Sequence, residues 1–317
     1  MVKCFSFIAA IDWLFRRSFS RAGLRAGKTD LGDGTVMHCW APKKPDPARP
    51  DLVLIHGVGS NAIWQWNDFL HLFVSRYNVY VPDLVFFGDS YTTRPDRSEE
   101  FQARCVAALM DVLGVSRMSV AGLSYGGFVA YSLGVQFPER VERLALLGSG
   151  VSMEEKDMAE GLFKVGSVEE AVDLLFPTSQ EKVKDMMKLA FHKPPKAMPS
   201  CFVQDFIDEI FSENIKERTE LVHALHKNRT LSNLPKITQP TLIIWGEYDQ
   251  IFPIQLAHRL KRHLEGNEQV EMIIVKDAGH ALTMEKLKDI RNHLKAFLVD
   301  SLPRPNQEKQ STVLKAD

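Results

Sequence analysis

The chain has 317 residues, 45% of them hydrophobic and 25% charged, with a formal net charge of −1 at pH 7. This is the composition of a folded protein of one or two domains with a sizeable core, and its near-neutrality excludes a global field that would gather nucleic acid or acidic partners. Cys4, Cys39, Cys105 and Cys201 are too few and too dispersed for a disulfide framework, and none has metal-ligand spacing; they are expected to be free thiols in a reducing, cytoplasmic setting, with no metal.

Residues 1–30 carry Phe7, Ile8, Ile11, Leu14 and Phe15 at helical spacing. Arg16, Arg17, Arg21, Arg25 and Lys28 follow, and Asp12 is the only acid before Asp30. Three readings stand: a helix packed on the body or over its pocket, a peripheral membrane contact through residues 1–28, or an organelle-targeting segment. No apolar run reaches the ~18 residues of a spanning helix, and the stretch lacks the clean apolar region and cleavage site of a secretory signal.

Ala41–Pro50 holds four prolines and reads as a surface loop between strands. Short apolar strands then alternate with helices: Leu52–Ile55, Val79–Val81, helix Phe101–Leu113, Met118–Ala121, helix Gly126–Phe137 stopped by Pro138, and Leu144–Leu147. The pattern predicts an α/β fold, a mostly parallel sheet covered by helices on both faces, with ligands bound at the carboxyl ends of the strands. Between about 152 and 233 the alternation stops. Val168–Phe176, Glu181–Phe191 and Phe202–Lys227 read as helices, punctuated by Pro177, Pro194, Pro195 and Pro199. Strands resume at Thr241–Trp245 and Val270–Val275. The division expected is an N-terminal segment 1–30, a core of 31–151 and 234–301, a helical insertion 152–233 and a flexible tail 302–317.

Gly122-Leu123-Ser124-Tyr125-Gly126-Gly127 matches G-x-S-x-G between a strand and a helix, the context in which that motif presents a nucleophile. Gly122 and Gly126 remove side chains that would collide in so sharp a turn, so Ser124 Oγ is expected to project into solvent above the sheet. A serine hydroxyl needs a base. His280, in a glycine-containing loop after the last apolar strand, is the candidate; Asp249, beyond the Thr241–Trp245 strand, is the carboxylate that orients it, with Glu247 the runner-up. The loop Gly148-Ser149-Gly150 offers no acid. The order Ser…Asp…His suits this chemistry. Backbone N–H groups of Val58 and Tyr125 are the expected oxyanion donors, and His56 is read as structural.

Together these motifs resemble the α/β-hydrolase superfamily over roughly residues 30–300. Pro82-Asp83-Leu84-Val85-Phe86-Phe87-Gly88-Asp89-Ser90 is similar to the family's D-L-x-G-x-G-x-S loop, with Phe86 in place of the first glycine, and 152–233 is similar to its helical cap. The whole resembles the plant carboxylesterase and monoacylglycerol lipase-like branch, akin to bacterial carbon–carbon bond hydrolases. Ser124 stands where epoxide hydrolases and haloalkane dehalogenases carry aspartate, and 152–233 has no tyrosine. Ala281 follows the histidine where carbon–carbon bond hydrolases usually carry tryptophan. The resemblance implies a serine hydrolase acting on a small-molecule ester with no cofactor beyond water. The Met- and Phe-rich insertion, with Phe86 and Phe87 as expected pocket lining, points to an apolar acyl or lipid-like substrate. Alternatives are a hydrolase-fold receptor with slow turnover, a carbon–carbon bond hydrolase and an acyltransferase.

Overall fold

The computed structural model describes residues 6–196 and 198–303. Helix α1 (Phe7–Arg21) opens it, its first turn capped by Ser6 Oγ accepting from Ala9 N. Gly23, at φ +90°, ends the turn, and the chain enters a hairpin of β1 (Leu24–Asp30) and β2 (Thr35–Pro42). Arg25 and Lys28 therefore lie on a strand, not on the basic end of the helix. Then come β3 (Asp51–Ile55), α2 (Ala62–Trp66), α3 (Leu70–Phe73), β4 (Asn78–Pro82), the short β5 (Tyr91–Thr92), α4 (Glu99–Val112), β6 (Met118–Leu123), α5 (Tyr125–Gln136) and β7 (Val141–Leu147).

Among the described residues, five α-helices and a 3-10 turn (Leu231–Asn233) fill the stretch before the next strand: α6 (Lys156–Ala159), α7 (Val168–Leu175), α8 (Gln180–Ala190), α9 (Ser200–Ile210) and α10 (Ile215–His226). Ser167 and Ser179 cap α7 and α8 through their hydroxyls. The single helix expected over Phe202–Lys227 is two, because Asn214 takes a left-handed φ of +52°, which an asparagine tolerates and a continuing helix does not. The chain closes with β8 (Thr241–Gly246), α11 (Gln255–His263), β9 (Val270–Val275), α12 (Leu282–Glu285), α13 (Leu287–Leu294) and a π-helical stretch, Lys295–Asp300.

The nine strands form one sheet in the order β1-β2-β4-β3-β6-β7-β8-β9, with β5 on β2. Pairings from β4 through β9 are parallel, and the β1–β2–β4 edge is antiparallel. Alternate residues of β3 feed opposite layers: Val53 and Ile55 join the core under α4 and α5, while Leu52 and Leu54 join the one holding Trp66, Phe69 and Leu294. Both faces are thus covered, which is why the central strands read as unbroken apolar runs. No helix among the described residues is long and apolar enough to cross a membrane. Cys39 and Cys105 are buried free thiols and Cys201 an exposed one. Cys4 and residues 304–317 of the expected tail lie outside the described residues.

Candidate active site

Ser124 joins the end of β6 to the start of α5 with φ +54° and ψ −120°, a conformation costly for a residue with a Cβ. Two backbone bonds hold it there: Ser124 N donates to Leu147 O (2.8 Å) and Gly127 N to Ser124 O (2.9 Å). The flanking glycines make the turn possible. A Cβ on Gly122 would stand 2.2 Å from Gly126 O, and one on Gly126 would stand 2.4 Å from Ile55 O.

His280 Nε2 lies 2.9 Å from Ser124 Oγ, and His280 Nδ1 lies 2.8 Å from Asp249 Oδ2. The three side chains come from loops after β6, β8 and β9, all at the carboxyl edge of the sheet. The Asp249 carboxylate is wholly buried. Its other oxygen, Oδ1, accepts from Ile251 N (2.9 Å) and Phe252 N (2.8 Å). Those amides fix which oxygen faces the imidazole. Glu247, the runner-up, instead accepts from Asp277 N (3.2 Å). Ser124 does not project into open solvent; it is buried beneath the helices between β7 and β8.

The loop after β3 passes over the nucleophile so closely that a Cβ on Gly57 would be 2.9 Å from Ser124 Cβ. Gly57 N donates to Gln65 Oε1 (2.7 Å). His56 Nε2 accepts from Leu84 N (2.9 Å), so its Nδ1–H donates to Gly57 O (2.7 Å). Burial holds the His56 pKa below its ordinary value, against the attraction of Asp83, and the neutral ring is the form this bonding requires. Val58 lines the pocket beside Ser124 and Tyr125. Tyr125 opens α5, so its N–H is among the first-turn amides with no partner inside the helix.

A narrow, almost wholly apolar pocket extends from Ser124 into the helices above it. Val168, Ala171 and Leu175 from α7, Leu189 from α8 and Leu225 from α10 line it, and no lysine or arginine among the described residues does. Phe86 and Phe87 do not line it, contrary to the expectation from sequence. Phe87 is buried edge-on against the His56 ring, 5.1 Å between centroids. Phe86 adopts φ +74° where the related pattern has glycine; the Arg97 guanidinium covers its ring at 4.6 Å, and Arg218 Nε donates to its carbonyl (2.9 Å).

Three contributors were not anticipated. Phe252 packs edge-on to His280, 5.6 Å between ring centroids. Glu285 accepts from Gly279 N (2.7 Å), Lys193 N (3.0 Å) and His192 N (3.2 Å), tying the histidine loop to the end of α8. Ala281 N adds a bond to Ala190 O (2.8 Å). The glutamate carried no sequence signal, because its partners are backbone amides.

A doubly covered parallel sheet with serine, histidine and aspartate hydrogen-bonded in series at its carboxyl edge defines the hydrolase class of α/β proteins. The chain belongs to the alpha/beta hydrolase fold family, whose model matches residues 50–287. It is similar to Lipase 3 of Moraxella sp. (strain TA144), with 26% identity covering 88% of this chain and 86% of that one. It is also similar to a 2-hydroxy-6-oxononadienedioate/2-hydroxy-6-oxononatrienedioate hydrolase of Pseudomonas sp., with 28% identity covering 72% and 81%. Among solved structures, a bacterial membrane phospholipase A superposes with a TM-score of 0.74 at 24% identity, covering 92% of this chain and 90% of that one. An esterase from Exiguobacterium antarcticum superposes with 0.69 at 20% identity, covering 86% and 99%.

Proposed function

We propose that the protein is a serine esterase that cleaves carboxylic esters with apolar acyl groups through an acyl-enzyme on Ser124. The observation that carries this reading is the series Ser124 Oγ–His280 Nε2–Asp249 Oδ2 opening onto an apolar pocket. Ser124 Oγ attacks the ester carbonyl as His280 Nε2 takes its proton, and Asp249 holds the ring and balances the imidazolium. The carbonyl oxygen, now negative, accepts from the N–H groups of Val58 and Tyr125; such donors are typically worth about 2.7–4 kcal/mol each. Collapse expels the alcohol, which takes the proton from His280. Water then repeats the sequence on the acyl-enzyme, releases the acid and restores Ser124.

Residues 152–233 act in this reading as a cap whose helices receive the acyl chain. The lipase relatives support ester hydrolysis. The dienedioate hydrolase relative supports a carbon–carbon bond reading, but the name of its substrate denotes a dicarboxylate, and among the described residues no lysine or arginine lines this pocket to receive one.

Labelling with a fluorophosphonate probe tests the proposal. Wild type should label, and Ser124→Ala and His280→Ala should not, with p-nitrophenyl esters of graded acyl length turned over in parallel. A folded wild type that neither labels nor hydrolyses any of them would reject the proposal and bring a slow-turnover receptor forward.

A further inference from the structure

Helix α1 has two unlike faces. Its inner face is built into the body: Ile8 and Phe19 are buried, Phe15 packs edge-on to Trp64 at 5.2 Å, and Trp64 Nε1 donates to Asp12 Oδ1. Its first turn is pinned to α9, because Asp205 Oδ2 accepts from both Ser6 Oγ (3.0 Å) and Ile8 N (2.8 Å). The outer face carries Phe7, Trp13 and Leu14, which are 49%, 57% and 55% exposed. Those are three of the seven large apolar side chains exposed among the described residues, so the exposure is concentrated on one helix rather than scattered.

The same face is basic. Arg17 stacks on Trp13, 5.4 Å from the ring centroid. Arg21 follows one turn later. Lys43 Nζ donates to Ser20 O (2.7 Å) at the helix end, Lys44 follows it, and the β1–β2 register sets Arg25 opposite Ala41, next to these lysines. None of Arg17, Arg21, Arg25, Lys43 and Lys44 has a carboxylate partner among the described residues. Of the acids around the helix and the hairpin, Asp12 pairs with Arg16, Asp46 with Arg49 and Asp89 with Lys28. In a chain of net charge −1, five cations without a carboxylate partner among the described residues are a local concentration of positive charge, open to an anionic surface.

We infer that the outer face of α1, with Arg25, Lys43 and Lys44, docks on an anionic lipid bilayer. Aromatic and apolar side chains interleaved with long cations are what an interface accepts, with rings at headgroup depth and guanidinium groups reaching the phosphates. The helix is already folded and clamped by Asp205, so docking orders little new chain. The inference goes beyond ester hydrolysis and does not depend on it.

The test is flotation of the full chain with phosphatidylcholine vesicles, with and without phosphatidylserine, at low and high salt. The expected result is flotation with the anionic vesicles, weakened by salt as screening shortens the reach of the cations. Arg17→Gln with Arg21→Gln should lower vesicle partition about fivefold per cation removed. Trp13→Ser with Leu14→Ser should lower it about tenfold or more, from the apolar area each side chain buries. Both variants should unfold at the wild-type temperature, and Ser124→Ala should float like wild type, which separates docking from catalysis. Absence of flotation, or variants that float like wild type, would overturn the inference. So would a concentration-dependent dimer abolished by Trp13→Ser, with no vesicle binding, which would give this face to a second copy.

Discussion

Asp249→Asn is the substitution whose effect follows most directly from the hydrogen bonds. Oδ1 of the carboxylate accepts from two backbone amides, Ile251 N and Phe252 N, at 2.9 and 2.8 Å. An asparagine can keep both bonds only by placing its oxygen there, which turns its NH2 toward His280 Nδ1. Nδ1 must then accept, so the ring's proton moves to Nε2 and faces Ser124 Oγ, where a base is required. Size and packing barely change, so the protein should melt as wild type does while losing its base. The loss expected from a reversed tautomer is about 10⁴-fold in kcat, about 5 kcal/mol of transition-state stabilisation. Hydrolysis of p-nitrophenyl butyrate, read beside thermal unfolding, measures both. A variant within tenfold of wild type would refute the argument that Asp249 sets the tautomer through its locked orientation.

Glu285→Ala should leave Gly279 N, His192 N and Lys193 N without their acceptor, at about 1–3 kcal/mol of stability, and lower kcat more than it changes KM; Glu285→Gln can keep the two bonds to Oε2 but turns its NH2 toward Lys193 N, so it should recover only part of both, and an alanine variant indistinguishable from wild type would exclude the clamp. Ala171→Phe on α7 fills the pocket, so kcat/KM for a p-nitrophenyl octanoate should fall at least about tenfold, from lost apolar burial, while the acetate is spared; an equal fall for both would show that the acyl chain lies elsewhere. His56 has a folded pKa below its ordinary 6.5. Above 6.5 both states are neutral and its contribution is complete; below 6.5 the unfolded chain takes a proton that the buried ring refuses, so stability falls as pH drops toward the depressed value. Melting from pH 7.5 to 5 should show that slope, and His56→Gln should flatten it; an unchanged slope would place its source in another group.

The nucleophile turn was legible because its constraint is local: only glycine fits where a Cβ would meet a carbonyl oxygen. Asp249 and His280 were legible because a parallel sheet delivers its loops to one edge. The miss at Arg25 and Lys28 has a different cause. β1 is an edge strand exposed on both sides after Leu24, so it lacks the alternation that marks a half-buried strand; only Ala22-Gly23 hinted at the helix stop. The break at Asn214 was available in Ser212-Glu213-Asn214, a polar run inside an otherwise amphipathic stretch. Phe86 and Phe87 misled because aromatic residues beside a motif suggest lining, whereas their backbone turns one under Arg97 and the other against His56. Glu285 acts through main-chain amides distant in sequence, and no side-chain pattern records such a partnership.

Those amides couple the end of α8 to the histidine loop. Glu285 and the Ala281 N–Ala190 O bond fasten the segment around His280 to residues 190–193, and the His192 ring stacks on Tyr248, 4.1 Å away, next to Asp249. An outward swing of α8 must break these bonds or drag the imidazole off the serine. The roof of the pocket and the alignment of the base are therefore two readings of one position. Whatever displaces α8 therefore also displaces His280, so the shape of the pocket and the geometry of the serine–histidine pair are coupled.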